Sequence, residues 1–201
     1  MGSSQSEKVL QLIREAGVLR PRALDAHRIP RIYLLRLYRA GRIERLGRGL
    51  YRLAEVQVTG RENLAEACAR VPRGVVCLLS ALAFHEFTTQ MPFQIWMAIP
   101  VKSWTPRAND LPLRFVRFSD LSIHSNVQRH TVNGAEVRVF SPAKTVADCF
   151  KFRNKIGKDV ALEALRDGWR SRLFTMDELW ETARVCRVQK VMRPYLEGLV
   201  G

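Results

Sequence analysis

The stretch from Ile43 to Leu53 constrains this chain most: Ile43-Glu44-Arg45-Leu46 and Leu50-Tyr51-Arg52-Leu53 flank Gly47-Arg48-Gly49. It reads as strand, tight turn and strand, with glycines that accept the positive φ a short hairpin needs. Two strands do not stand alone in water. Ile43, Leu46, Leu50 and Leu53 must therefore close against a neighbouring apolar surface, and the preceding residues supply one.

That surface is three short helices. Ser4 and Glu7 have capping-box spacing, Val9, Leu12, Ile13 and Ala16 recur on one helical face, and Gly17 supplies a stop. Pro21 suits the first position of a second helix whose core residue is Leu24. Ile29 plugs the turn into a third helix, which begins near Pro30 or Arg31 and ends at Gly41. There Leu34, Leu37 and Tyr38 are expected inward, while Tyr33, Arg36, Arg39 and Arg42 take the opposite surface. Helices closed by a wing specify a winged helix-turn-helix over residues 1–57.

The charge distribution gives this module a partner. The chain of 201 residues carries +14, and residues 1–60 hold 12 basic against 5 acidic side chains while the other 141 hold 21 against 14. The N-terminal segment thus has more than twice the positive charge per residue, which points to two jobs in one chain. A helix of this size fits the major groove of double-stranded DNA, where Arg36 or Arg39 can pair with guanine edges and Tyr33 can pack on backbone or a thymine methyl. Arg31, Arg42, Arg45, Arg48 and Arg52 are placed to hold phosphates. The competing readings are a solvated basic face on a three-helix bundle and a winged helix retained only for protein contact.

Residues 54–62 read as a connection, and the domain expected over 58–201 is mixed α/β, making the whole chain α+β. Leu64, Ala65, Ala67 and Cys68 fit a helix ending before Pro72, and an apolar run from Val75 leads into a helix that Ser80 caps or lies just inside. Strands are expected over 93–99 and 113–118, the second with Leu113 and Phe115 inward. A hairpin is expected over 127–140 around Asn133-Gly134. Ser141 and Pro142 open a helix with Ala143, Val146, Ala147 and Phe150 on one face and Lys144 and Asp148 at i,i+4. Val160 to Trp169 form a further helix with Gly168 at a close contact, and Thr175 with Glu178 caps another.

Candidate partner-binding or structural residues in this domain are Lys102 and Arg107 in the loop between the first two strands, Lys144, Asp148, and a basic group of Arg184, Arg187 and Lys190. Cys68, Cys77, Cys149 and Cys186 lack metal-ligand spacing and read as buried free thiols, so neither a metal nor another cofactor is expected. His85-Glu86, Asp120 with His124, and Lys144 with Asp148 are the only local polar clusters, and none matches a catalytic motif, so no enzyme is expected. His85 reads as structural, His124 and His130 as surface groups. No apolar run is long enough to cross a membrane, and a cytoplasmic protein without membrane contact is expected.

Arg31-Ile32-Tyr33-Leu34-Leu35-Arg36-Leu37-Tyr38-Arg39-Ala40-Gly41, followed by Arg45-Leu46-Gly47-Arg48-Gly49-Leu50-Tyr51, resembles the winged helix of AbiEi-like antitoxins of type IV toxin-antitoxin systems. Leu79-Ser80-Ala81-Leu82 and Ser141-Pro142-Ala143-Lys144-Thr145-Val146-Ala147-Asp148 resemble elements of that family's second domain. The resemblance implies a prokaryotic repressor of its own operon that binds inverted repeats, self-associating on DNA, and an antitoxin against a nucleotidyltransferase-like toxin or that toxin's nucleic-acid substrate. By position, Tyr33, Arg36, Arg39 and Arg48 would face DNA. The alternatives are a DNA-binding protein whose second domain processes nucleic acid, with Asp120 or Asp148 in a metal-dependent nuclease, and a regulator that senses a small molecule.

Overall fold

The structure is a computed structural model that describes residues 4–47, 49–54, 62–88, 92–106, 111–132 and 135–200. Arg48, Arg107 and the Asn133-Gly134 turn lie outside the described residues. The chain is α+β and divides into two compact units, Met1–Pro72 with His130–Val137, and Arg73–Arg129 with Arg138–Gly201.

In the first unit, helix α1 (Gln5–Ala16) opens on the expected capping box: the Glu7 amide donates to Ser4 Oγ at 3.2 Å, and the Ser4 amide donates to Glu7 Oε2 at 2.6 Å. Its inward residues are Val9, Leu10 and Ile13, whereas Ala16, expected inward, is exposed at the last turn. A 3-10 helix (Pro21–His27) carries the fully buried Leu24 and ends on Arg28 in the left-handed conformation. Helix α2 (Ile32–Arg39) follows, then β1 (Ile43–Gly47) and β2 (Leu50–Leu53), antiparallel with Ile43 opposite Leu53 and Glu44 opposite Arg52. The register slips between Arg45 and Gly47, and Gly49 takes φ +70°, so the glycines build a bulged turn. Leu19 adds a one-residue bridge to Tyr51, with reciprocal backbone bonds of 2.8 and 3.0 Å, and ties the link between α1 and the 3-10 helix to the hairpin.

The core of this unit is Val9, Ile13, Leu24, Ile29, Leu34, Leu37 and Ile43, with Leu50 also buried and Leu53 packed at its margin. Leu46 is half-buried because the bulge turns it partly out. Helix α3 (Glu62–Arg70), which the sequence assigned to the second module, groups with the first unit. Arg70 donates to the Leu46 carbonyl and pairs with Glu66, and Arg20 donates to the Ala69 carbonyl at 2.5 Å.

Most of a five-stranded mixed sheet in the order β5-β4-β3-β7-β6 belongs to the second unit: β3 (Val75–Val76), β4 (Ile95–Pro100), β5 (Leu113–Phe118), β6 (Val127–Val132) and β7 (Ala135–Phe140), of which the segment His130–Val137 is counted with the first unit. β3 runs antiparallel to β4 and parallel to β7, and β4 runs parallel to β5. Helices α4 (Leu78–Phe84), α5 (Asp120–His124), α6 (Pro142–Lys151), α7 (Arg153–Ile156), α8 (Lys158–Arg170), α9 (Met176–Cys186) and α10 (Gln189–Val200) complete it. Ser80 lies inside α4, and its hydroxyl accepts the Trp96 amide at 2.9 Å. Ser141 caps α6 by accepting the Lys144 amide at 3.3 Å, and Thr175 with Glu178 forms the capping box of α9.

Every residue of α6 from Ala143 to Phe150 is buried, and α4, α8 and α9 pack around it. One correction concerns β5: Val116 and Phe118 are the buried residues, while Leu113 and Phe115 are half-buried. The four cysteines are buried free thiols. Among the described residues no helix is long and apolar enough to cross a membrane.

Candidate nucleic-acid interface

Helix α2 has eight residues, so its core-facing arc is narrow. Leu34 and Leu37 are buried on it, and Tyr33 packs against the same core beside them. At 100° per residue this centres the inward arc near Leu37 and puts Arg39 and Leu35 on the far side, with Arg36 on the flank. Arg36 and Arg39 are exposed, and the Arg36 guanidinium lies 5.3 Å from the centre of the Tyr33 ring. The two tyrosines exchange their expected places. Tyr33 is half-buried, whereas Tyr38, expected inward, is 48% exposed because it stands at the edge of the arc in the last turn. Tyr38 thus joins the outward surface, which helical spacing from Leu34 alone does not disclose.

The remaining arginines differ in how much charge they offer. Arg31 is the residue before α2, and its Nε and Nη2 donate to Asp25 at 3.2 and 2.5 Å. That hydrogen-bonded pair holds the Asp25 carboxyl below its ordinary range and raises Arg31. Arg52 lies across the hairpin from Glu44 and donates to it through Nη2 at 2.9 Å. Arg42 is exposed just before β1, and Arg45 is exposed on it opposite Tyr51. Arg36, Arg39 and Arg42 have no carboxylate partner among the described residues.

In the second unit, Lys102 is exposed in the turn after β4. The adjoining backbone is held by Arg117, which donates to the carbonyls of Val101 and Ser103 at 2.7 and 2.8 Å and to Thr105 Oγ1 at 3.1 Å. Lys144 and Asp148 are both fully buried and joined at 2.5 Å. The Lys144 ammonium also lies 4.2 Å from the Phe140 ring centre and 5.0 Å from that of Phe118, and Asp148 Oδ1 accepts the Cys186 thiol at 3.2 Å. Burial pushes the Asp148 carboxyl up, opposed by the Lys144 charge and by its two hydrogen bonds. Burial likewise pushes the Cys186 thiol up to about 12, with the Asp148 charge adding to it. Such a cluster supports the core and offers nothing to a solvent-borne substrate.

Asp120 is exposed in the first turn of α5, and among the described residues no three His, Cys, Asp or Glu side chains converge on a metal position. His85 bonds the Phe140 carbonyl through Nε2 at 2.7 Å and sits edge-on to Phe84 and Phe87, a structural placement. Arg184 is ion-paired with Glu181 at 2.7 Å, Arg187 closes α9 in the left-handed conformation, and Lys190 is exposed on α10. A cleft of about 300 Å³ is lined by Leu79, Leu82, Phe87, Val160 and Ala164, and among the described residues Thr88 and Glu163 are its polar side chains.

Residues 7–54 match the family described as transcriptional regulator, AbiEi antitoxin. That span runs from α1 through the hairpin. No curated protein matches the chain. A solved structure, the RV2827C protein from Mycobacterium tuberculosis, superposes with a TM-score of 0.58 at 12% identity, covering 90% of this chain and 72% of that one. At that identity the likeness is one of fold.

Proposed function

We propose that this protein represses its own operon by binding inverted repeats in the promoter through α2 and the wing. We further infer that its second unit counters a cognate nucleotidyltransferase-like toxin. The observation that carries the reading is the outward surface of α2: Arg36 and Arg39 stand exposed, without carboxylate partners among the described residues, on a short helix followed directly by a glycine-built hairpin. The family match over residues 7–54 supports it. Guanidinium groups at that position can take guanine edges in the major groove, while Arg42 and the wing hold phosphates.

One double variant tests both halves. Arg36→Ala/Arg39→Ala is expected to bind a fluorescent duplex of the upstream promoter at least about tenfold more weakly than the native chain, because each bidentate base contact contributes about 1–3 kcal/mol. Its helical circular dichroism should be unchanged. Coexpressed with the neighbouring toxin, the same variant should still restore growth. Equal promoter affinity for the two proteins overturns the DNA surface, and failure of the intact chain to restore growth overturns the antitoxin role.

A further inference from the structure

The second unit carries a group of cations that ion pairs within the fold do not account for. Many of its arginines have a visible task. Arg170, Arg184 and Arg193 pair with Asp167, Glu181 and Glu197 one turn away, Arg117 holds the loop after β4, and Arg138 donates to the Gly74 carbonyl at 2.7 Å. The turn from α6 into α8 is different. Residues 151–158, Lys-Phe-Arg-Asn-Lys-Ile-Gly-Lys, contain four cations and no acid, and hold three of the seven lysines in the chain. Among the described residues none of the four has a carboxylate within ion-pair distance.

Helix electrostatics explains only part of this grouping. Arg153 donates to the Phe150 carbonyl at 2.9 Å, and cations suit the end of α6. Lys158 is the reverse case: it opens the first turn of α8, where the helix dipole disfavours positive charge. The ammonium groups also lie over rings, Lys151 and Lys155 within 5.9 and 5.7 Å of the Phe152 centre and Lys158 at 5.4 Å from that of Tyr195. Asp159 follows Lys158 and the buried Asp148 carboxyl acts on Lys151, so the four charges are only partly offset; the remaining repulsion is relieved by an anion bound among them.

We propose that this surface, Lys151, Arg153, Lys155 and Lys158 with Phe152 and Tyr195, binds the phosphodiester backbone of a nucleic acid. Two observations favour a polynucleotide over an acidic protein surface. Lysine is depleted from protein interfaces, whereas phosphate takes an ammonium as a point charge. Phe152 and Tyr195, half-buried against the core with the cations over them, leave part of each ring for a base to contact. The inference goes beyond the promoter-binding role and does not rest on it, since the test removes the α2 surface first.

The full chain carrying Arg36→Ala/Arg39→Ala is titrated against short fluorescein-labelled mixed-sequence DNA, RNA of the same sequence, and a DNA duplex lacking the promoter. Binding at low salt is expected. Adding Lys155→Glu/Lys158→Glu should weaken it at least about tenfold. The dependence of log affinity on log salt should flatten by roughly 1.5, because each phosphate left without its cation removes about 0.7–0.9 from the slope. The source of the backbone, DNA or RNA, is the probe held more tightly. Trp96, Trp104, Trp169 and Trp180 all lie in this unit, so tryptophan fluorescence reports its fold. Should the glutamate variant unfold, Lys155→Gln/Lys158→Gln carries the comparison with a smaller loss expected. Unchanged affinity in a folded variant, absence of binding to all three probes, or displacement by polyglutamate as effective as by unlabelled oligonucleotide overturns the proposal.

Discussion

Lys144 and Asp148 show how far one residue pair can mislead a reading for chemistry. Lysine and aspartate one turn apart, near two cysteines, invite a catalytic interpretation, yet both side chains are fully buried and paired at 2.5 Å. Each charge has its remaining needs met locally, the ammonium by the Phe140 and Phe118 rings and the carboxylate by the Cys186 thiol. Removing one partner leaves an uncompensated charge in the core. Lys144→Ala or Asp148→Ala is therefore expected to destabilise the second unit by about 3–5 kcal/mol, whereas replacing the pair together by Met and Leu should recover most of that loss. Urea unfolding followed by tryptophan fluorescence measures both, and single variants no less stable than the double would show that the pair is not what holds this core. The i,i+4 spacing is legible in the sequence; its burial is not, because α6 is covered by α4, α8, α9 and α10, whose packing no local period of α6 discloses.

At the scale of elements, what the sequence discloses is what is decided within a few residues. Both capping boxes, the hairpin glycines and the Ser141-Pro142 helix start are local hydrogen-bonding or φ requirements, and each stands where its residues put it. The bridge of Leu19 to Tyr51, the two-residue β3 and the parallel pairing of β4 with β5 are tertiary choices with no local period. α10 does not announce itself as a separate helix because Arg187, a non-glycine in the left-handed conformation, makes the break, and Pro194 lies inside the helix that follows. Gly168, by contrast, sits at the close contact its sequence position suggests. A Cβ there would lie 2.4 Å from Phe174 Cε1 and 2.5 Å from Phe87 Cε1, both on buried rings, while a Cβ at Gly198 meets nothing within 4 Å. Gly168→Ala should then cost about 1–3 kcal/mol through overpacking despite alanine's better helix propensity. Gly198→Ala should instead stabilise α10 by about 0.5–1 kcal/mol. Thermal unfolding of the two variants side by side tests the opposite signs, and equal shifts would mean that the two rings move aside freely.

Over the whole molecule, the formal charge of +14 overstates what is available to a polyanion. In the first unit Asp25 and Glu44 already neutralise Arg31 and Arg52. Of the arginines the sequence offers for DNA, those two have a competitor for phosphate built into the fold, which composition and periodicity could not show. Arg36, Arg39 and Arg42 have no such competitor among the described residues. Because Arg31 holds the Asp25 carboxyl below its ordinary range, the competing charge persists throughout the neutral and mildly acidic pH used to measure binding. Asp25→Asn should accordingly release Arg31 and raise promoter affinity several-fold at low salt. The slope of log affinity against log salt should steepen by about 0.9, the value of one additional phosphate contact. Adding Arg31→Ala should return both quantities to those of the native chain, separating a released guanidinium from the mere loss of a repelling carboxylate. A gain that survives removal of Arg31 would place the effect in long-range repulsion, and an unchanged slope would take Arg31 out of the phosphate-binding set.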